Sequence, residues 1–303
     1  MRVNHFCTIS TVSHLYKVYA LAESLANQKH DFLLHVLVSD SDENFAFANC
    51  RFWKLNDFKN ESSAQNIINK YKSHTDKLRW SLKPVFLKFL LSTEAAQVIC
   101  VDNDVFFYTD YQFLFDLLNE HSLLLTPHYY KHNPKKEQNW LEANFRVGLY
   151  NAGFVGVNRN AVNTLQWWAD CCEYRCEKNS WRGLFDDQKY LDLIPVIDEG
   201  AHIVRHKGCN VASWNTDYCK RKTIDGELKI NDKYPVVFIH FNPFTIREVA
   251  EGRDALLLPL YNVYAETLKK YKPDLKMEEL EQAEPLLDKL KYYVWKFMTE
   301  RGN

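Results

Sequence analysis

The sequence predicts an α/β protein built on a parallel sheet, and three observations carry that expectation. The first third of the chain alternates strand and helix patterns in βαβα order, an arrangement that covers a parallel sheet with helices. The stretch "FLLHVLVSD" (32–40) is almost continuously apolar, as strands buried on both faces are. In "VICVDNDVFFYTD" (98–110) an apolar run ends at two aspartates, Asp102 and Asp104. Open parallel sheets bind ligands just beyond the carboxyl ends of their strands, where this pair would lie.

Taken in order, "HFCTIS" (5–10) reads as a short first strand. "HLYKVYALAESLANQ" (14–28) reads as a helix, with apolar residues at Leu15, Val18, Tyr19, Ala22 and Leu25. "FLLHVLVSD" is the second strand, "RFWKLN" (51–56) a third, and "LKPVFLKFLLS" (82–92) a helix ahead of the aspartate strand. Beyond it, "SLLLTPHYY" (122–130) and "GLYNAGFVGVNRN" (148–160) look like strands. "AVNTLQWWADCCEYRCEKN" (161–179) reads as a helix and "DDQKYLDLI" (186–194) as a short one with Asp186 at its start. "HIVRHKGCNVASWN" (202–215) and "YPVVFIHF" (234–241) suggest further strands, and from about residue 250 the chain turns helical.

The last predicted helix has an apolar stripe at Leu287, Leu290, Val294 and Phe297, with Pro285 at its first turn. Lysines and aromatic residues surround the stripe. Two readings stand: a helix packed on the catalytic domain, or an interfacial helix making peripheral membrane contact.

Composition narrows the classes. With 303 residues the chain has ample length for a core, and 25% charged residues with 46% hydrophobic is ordinary for a globular protein. A formal net charge of −1 argues against a dedicated nucleic-acid binder, so any phosphate recognition is local. No signal peptide is evident at "MRVNHFCTIS", and no run approaches the ~18 apolar residues of a spanning helix. A cytoplasmic setting with reduced thiols is therefore expected, with the inner membrane surface as a further location through the last helix. Cys171, Cys172 and Cys176 lack paired zinc spacing and read as core thiols.

Two carboxylates held close repel unless a cation or a shared proton relieves them. Hard oxygen ligands of this kind suit Mg²⁺ or Mn²⁺. Two enzyme classes use such a strand-end pair. Nucleotide-sugar transferases hold a metal that bridges the donor diphosphate. Haloacid-dehalogenase-like phosphohydrolases make the first aspartate a nucleophile and the second an acid/base. The phosphatase motif sits on a first strand, whereas here a βαβ unit precedes it; "KKEQ" and "FDDQ" nonetheless offer the later lysine and acids that class needs. A binding module with a degenerate site is a third reading.

These residues resemble the GT-A glycosyltransferases, and within them the glycogenin-like and lipopolysaccharide-galactosyltransferase-like retaining enzymes. The resemblance runs over residues 5–242. It is carried by "FCTISTVSHLYKVYALAESL", "VICVDNDVFFY", "YNAGFVGVN", "FDDQKYLD" and "VVFIHF", in the family's order. It implies a Rossmann-like nucleotide-diphospho-sugar transferase domain over 1–250, followed by a C-terminal helical extension over 251–303.

The resemblance further implies roles for single residues. Thr8, Thr11 and Tyr16 would shape the uracil and ribose pocket, and Lys83 would bind the donor. Asp102, Asp104 and His240 would ligate Mn²⁺ or Mg²⁺, with Asp102 also near the ribose. Asn151, Asp187 and Gln188 would contact the donor sugar, Gln188 closest to the reacting face. Where the family follows its H-F pair with a glycine and then a lysine, this chain has "HFNPFTIR". Arg247 or Arg205 would have to supply the missing cation. On residue type alone, His240 reads as a packed core histidine; the resemblance is what implies a ligand. Trp214 in "HKGCNVASWN" is either a platform for an acceptor sugar or a loop anchor.

The expected function is metal-dependent transfer of a hexose from a UDP-sugar to a hydroxyl of a glycan or glycolipid acceptor, with retention. UDP rests on the resemblance alone. An inverting transferase with Asp186 as base is the variant reading.

Overall fold

The computed structural model describes residues 3–58, 60–136 and 138–281. The expected apolar helix after Pro285 lies outside the described residues. In chain order the elements are β1 (Asn4–Ser10), α1 (Leu15–Ala26), β2 (Phe32–Val38), β3 (Cys50–Lys54), α2 (Ser62–Tyr71), α3 (Thr75–Ser81), α4 (Lys83–Thr93), β4 (Gln97–Val101) and β5 (Val105–Phe107). There follow α5 (Gln112–Glu120), β6 (Leu123–Pro127), α6 (Gln138–Arg146), β7 (Tyr150–Asn158), α7 (Val162–Tyr174), β8 (Glu177–Asn179), β9 (Leu184–Asp186), α8 (Ile194–Ile197) and β10 (Ala201–Ile203). The chain continues through β11 (Arg221–Ile224), β12 (Glu227–Ile230), β13 (Tyr234–Pro235), β14 (Phe238–His240), α9 (Pro243–Ala250), α10 (Leu258–Tyr271) and α11 (Glu278–Glu281).

Seven strands form the main sheet in the order β10-β6-β7-β4-β1-β2-β3. The pairs β1–β2, β2–β3, β1–β4 and β6–β10 are parallel, and β7 runs antiparallel to both β4 and β6. The chain builds outward from β1 to β3, then returns to the other side of β1 with β4. Strand order therefore reverses between β1 and β4, and a crevice opens at the carboxyl ends of these two strands.

Alternation along the strands sends side chains into two helical layers. Cys7, Ile9, Val98 and Cys100 pack with Leu78, Phe86, Leu90 and Trp168 from α3, α4 and α7. Phe6, Ile99 and Val101 pack with Val18, Leu21, Leu114 and Leu118 from α1 and α5. A fully buried Phe86 or Leu21 contributes roughly 1.5–3 kcal/mol over its exposed state. A third cluster joins α9, α10 and α11 to Tyr16, Phe106, Ile239 and Phe241.

The sequence reading differs from the structure at several elements. The helix expected over 161–179 stops at Tyr174, and Glu177–Asn179 pairs with Leu184–Asp186 as a short hairpin. Asp186 ends that hairpin, in the left-handed region at φ 51, instead of opening a helix. Helices α2, α3, α5 and α6 were not expected. Among the described residues no helix is long and apolar enough to cross a membrane. All eight cysteines are free, and Cys172 and Cys176 are buried as core thiols while Cys171 is half-buried.

Candidate active site

Beyond Val101 the chain leaves the sheet in a tight turn. The Asp102 amide donates to the Gly153 carbonyl at 3.0 Å, and the Asp102 carbonyl accepts from the Val105 amide at 3.1 Å. Asn103 Nδ2 donates to Ser10 Oγ at 3.1 Å, fastening the turn to the end of β1. The turn thus brings Asp102 and Asp104 together. After it, β5 pairs antiparallel with β14, setting His240 opposite Val105. The Phe241 amide donates to the Asp104 carbonyl at 2.8 Å, so His240 is locked beside Asp104.

One ligand atom from each of Asp102, Asp104 and His240 falls within 4.8 Å of the other two. An octahedral ion with bonds near 2.1 Å separates opposite ligands by roughly 4 Å, so this set has a suitable span. Asp104 Oδ1 lies 3.1 Å from His240 Nε2. Yet Asp104 Oδ1 and His240 Nδ1 are buried with no aligned hydrogen bond among the described residues. An acceptor of Asp104 left unfilled in a buried place is what a divalent ion would satisfy. Two carboxylates and an imidazole fit such an ion.

Charge around the cluster is dense. Burial opposes ionisation of Asp104, but His240 and Lys17 hold its carboxyl well below the usual range. Burial likewise opposes the His240 imidazolium, and Asp104 outweighs it, so the ring's pKa is raised. Lys83, the first residue of α4, reaches Asp102 Oδ1 at 2.9 Å, the Ala152 carbonyl at 3.0 Å and Asp187 Oδ2 at 3.6 Å. Burial alone would lower this ammonium's pKa; the two carboxylates raise it above its ordinary value instead. Burial pushes Asp187 up to about 6 against the pull of Lys83, and Asp186 up to about 7 against Lys178.

Asn151 and Gln188 are fixed on β7. Asn151 Oδ1 accepts from the Gly153 amide at 2.7 Å, and its Nδ2 contacts His128 Nε2 at 3.0 Å. His128 Nδ1 lies 3.0 Å from the Gly148 carbonyl. Burial takes this imidazole down to about 3, so it is neutral, donating through Nδ1 and accepting at Nε2. Gln188 Oε1 accepts from the Ala152 amide at 3.1 Å, and Nε2 donates to the Val147 carbonyl at 3.2 Å. One Oε1 lone pair and one Nε2 hydrogen stay uncommitted to these bonds. Trp168 Nε1 donates to the Asp187 carbonyl at 2.8 Å, holding the Asp187–Gln188 turn.

The other expected residues are more scattered. Thr8 is fully buried in β1, its hydroxyl without a hydrogen-bond partner among the described residues. Thr11, just past β1, meets His14 Nδ1 at 2.8 Å. Tyr16 packs into the third apolar cluster, with Lys272 5.2 Å from its ring centre. The Arg247 guanidinium sits 5.6 Å from the Phe244 ring centre, and Arg205 is exposed after β10. Trp214 is 4% exposed, donates to the His128 carbonyl at 3.0 Å and meets His240 edge-on at 5.5 Å. It anchors its loop beneath the site and offers no face to an acceptor.

Sequence reasoning missed His14, Lys17, Arg79 and His128. Arg79 lines a cavity of about 120 Å³ with Lys83, Asp102 and Asp104. It belongs to a helix the sequence pattern did not reveal. A histidine at a strand's end, as in "TPHYY", was the only available signal for His128.

Gly153 shows how tightly the site is built. A Cβ there would lie 2.5 Å from both Asn151 Oδ1 and His240 Cε1. Gly153→Ala is therefore expected to displace the His240 ring and lower metal affinity by roughly 10- to 100-fold. Titration calorimetry with Mn²⁺ checks this, and unchanged affinity would free Gly153 from the role.

No protein-family model matches the chain. It is 27% identical over 281 residues to the uncharacterized protein YfnF of Bacillus subtilis (strain 168), spanning 87% of this chain and 91% of that one. Among solved structures it is similar to the galactosyltransferase LgtC in complex with donor and acceptor sugar analogs. That likeness has a TM-score of 0.51 and 14% identity, covering 86% of this chain and 95% of LgtC. It is also similar to the bifunctional glycosyltransferase WbbM, with a TM-score of 0.53 and 12% identity, over 93% of this chain and 52% of WbbM. The fold is thus the GT-A fold, a mixed α/β layer with a mostly parallel central sheet.

Proposed function

We propose that the chain is a metal-dependent glycosyltransferase that moves a hexose from a UDP-sugar to a hydroxyl of a glycan or glycolipid, with retention. The observation that carries this reading is the convergence of Asp102, Asp104 and His240 at the β1/β4 crevice. Mn²⁺ or Mg²⁺ held there would neutralise charge that builds on the departing diphosphate. The chain's own residues supply the rest. Lys83 fixes Asp102 and adds positive charge on the diphosphate side. Asn151, Asp187 and Gln188 would hold the sugar hydroxyls and orient the ring.

In transfer with retention the bond from the anomeric carbon to the phosphate oxygen breaks, and the bond to the acceptor oxygen forms on the same face. The leaving phosphate takes the acceptor's proton. A neutral amide such as Gln188 suits the positive anomeric centre. The fold weighs against the haloacid-dehalogenase-like alternative, because in this chain the aspartates follow β4 and not the first strand. Incubation with a panel of UDP-hexoses and Mn²⁺ tests the reading. UDP release that stops on chelation supports it; phosphate release from generic esters without nucleotide dependence overturns it.

Asp186 favours the inverting reading through two observations: its Oδ1 is buried without a hydrogen-bond partner among the described residues, and burial pushes its carboxyl up to about 7, near the optimum for a general base. The two readings separate on Asp186→Asn. Because the folded pKa lies above the ordinary 3.8, the native state binds more protons than the unfolded chain between about pH 4 and 7. Stability therefore falls as pH rises through that window, by on the order of 4 kcal/mol. Asp186→Asn is expected to raise stability at pH 8 and change little at pH 4, with turnover kept. A loss of turnover above ~100-fold would assign Asp186 as base; denaturant unfolding at both pH values gives the stability arm.

A further inference from the structure

Outside the aspartate crevice, a cavity of about 390 Å³ opens between the α2–α3 connection and the end of α7. Its volume falls in the roughly 300–1,000 Å³ range of small-molecule pockets. Lys70, His74, Lys77 and Arg175 line it, with Glu177 as the one carboxylate among the described lining residues. That carboxylate is already held, since Arg175 Nη1 and Asn179 Nδ2 each donate to its Oε1 at 3.2 Å. Lys70 commits two of its three hydrogens to backbone, donating to the Glu173 and Tyr174 carbonyls at 2.5 and 2.8 Å. The side chains of His74 and Lys77 make no hydrogen bond or ion pair with any described residue. A concave wall dominated by one sign of charge focuses the field and favours an anion.

The cavity also carries an aromatic face. Tyr174 lines it and is 63% exposed, with the Arg175 guanidinium 5.5 Å from its ring centre. An exposed ring beside cations can take the apolar face of a sugar while the cations take a charged substituent. Two connections tie this place to the transferase site. His74 and Lys77 line it from one end of α3, and Arg79 and Trp80 line the aspartate cavity from the other. The five-residue step from His74 to Arg79 rises roughly 7.5 Å along a helix. Across the β8–β9 hairpin, Glu177 pairs with Asp186, the neighbour in sequence of Asp187 and Gln188.

We propose that this cavity is a subsite for a sugar bearing a carboxylate or a phosphate, and that the acceptor is therefore an acidic glycan. The acceptor role rests on the transferase reading above; the anion subsite stands without it. Lys77 and Arg175 make charge-assisted hydrogen bonds to the anionic oxygens, the planar guanidinium suiting a carboxylate or a phosphate alike. Tyr174 packs against the ring that carries them.

Titration calorimetry on the full chain tests this, with trigalacturonate, glucose 6-phosphate, inorganic phosphate and neutral maltotriose as probes. One of the two charged sugars is expected to bind at least about 10-fold more tightly than maltotriose, and which one does so names the charged group. Lys77→Gln and Arg175→Gln should each weaken that binding roughly 5- to 50-fold. Lys77→Arg should keep most of it, and Lys222→Gln, an exposed lysine of β11 outside the cavity, should leave it unchanged. Failure of both charged sugars to bind, wild-type affinity in Lys77→Gln, or the same loss in Lys222→Gln overturns the proposal. So does maltotriose or inorganic phosphate binding as tightly as the charged sugar. Transfer from UDP-hexoses is then compared on the charged sugar that binds and on maltotriose, and equal transfer to both overturns the acceptor assignment. Lys77-dependent binding without turnover of any donor keeps the subsite and sinks the transferase reading. Turnover without Lys77-dependent binding does the reverse.

Discussion

Asp104→Ala is expected to abolish sugar transfer, by on the order of 10³-fold or more, while the chain still folds. Asp104 is the member of the cluster most committed to a cation. Its carboxyl is largely covered, held well below the ordinary 3.8 by His240 and Lys17, and its Oδ1 is buried with no aligned donor among the described residues. Removing it leaves Asp102 and His240, too few to fix a divalent ion in one geometry. The stability cost stays within about 3 kcal/mol, because His240 can then lose its proton and sit neutral in its apolar surroundings. The lost contribution has a defined pH window. A carboxyl with a depressed folded pKa stabilises above its unfolded value, and that stabilisation disappears as pH falls through the folded pKa. The deficit of Asp104→Ala should therefore be full at neutral pH and shrink under acid. UDP release, Mn²⁺ titration and denaturant unfolding together check it. A variant with near-wild-type turnover would remove Asp104 from the mechanism.

The parts of this site that were legible in the sequence are those written in local pattern. Strands β1, β2 and β4 are runs of apolar residues because both faces are covered, and α1 shows its stripe at Leu15, Val18, Ala22 and Leu25. The aspartates stand out because charge follows directly on such a run. What brings His240 to them is pairing of β14 with β5, a contact between distant segments that no local pattern reports. Helix α2 buries only Ala64, Ile67 and Tyr71, so its apolar face is too sparse to read beside its polar residues. Lys17 follows Tyr16 in an amphipathic helix and has the look of a solvated side chain. Its burial arises from tertiary packing around α1, which lies against β5 and α10. Charges buried by tertiary contact are invisible to periodicity, and they are the ones with most bearing on chemistry.

Lys83→Met is expected to lower stability by roughly 3–5 kcal/mol at pH 8 and to cripple transfer as well. The ammonium's three hydrogens face three oxygens: Asp102 Oδ1 at 2.9 Å, the Ala152 carbonyl at 3.0 Å and Asp187 Oδ2 at 3.6 Å. Methionine fills the same volume and returns none of the charge. Asp102, a third exposed, can stay ionised with help from water, but Asp187 is 3% exposed and cannot. Its carboxyl, already up at about 6 by burial, would rise further without Lys83. The native variant would then hold a proton that the unfolded chain releases, so its stability falls as pH rises from 4 through the new pKa. The deficit should be smallest near pH 5, largest between about pH 8 and 10, and should shrink again above the unfolded lysine's pKa of about 10.4. Adding Asp187→Asn should recover a large part of it at pH 8, because a neutral amide needs no counter-ion, yet transfer should stay low since Asp102 is no longer aligned. A double-mutant cycle by denaturant unfolding at two pH values measures this coupling. Additive losses, or a Lys83→Met protein as stable as the wild type at pH 8, would show that Lys83 does not balance these carboxylates.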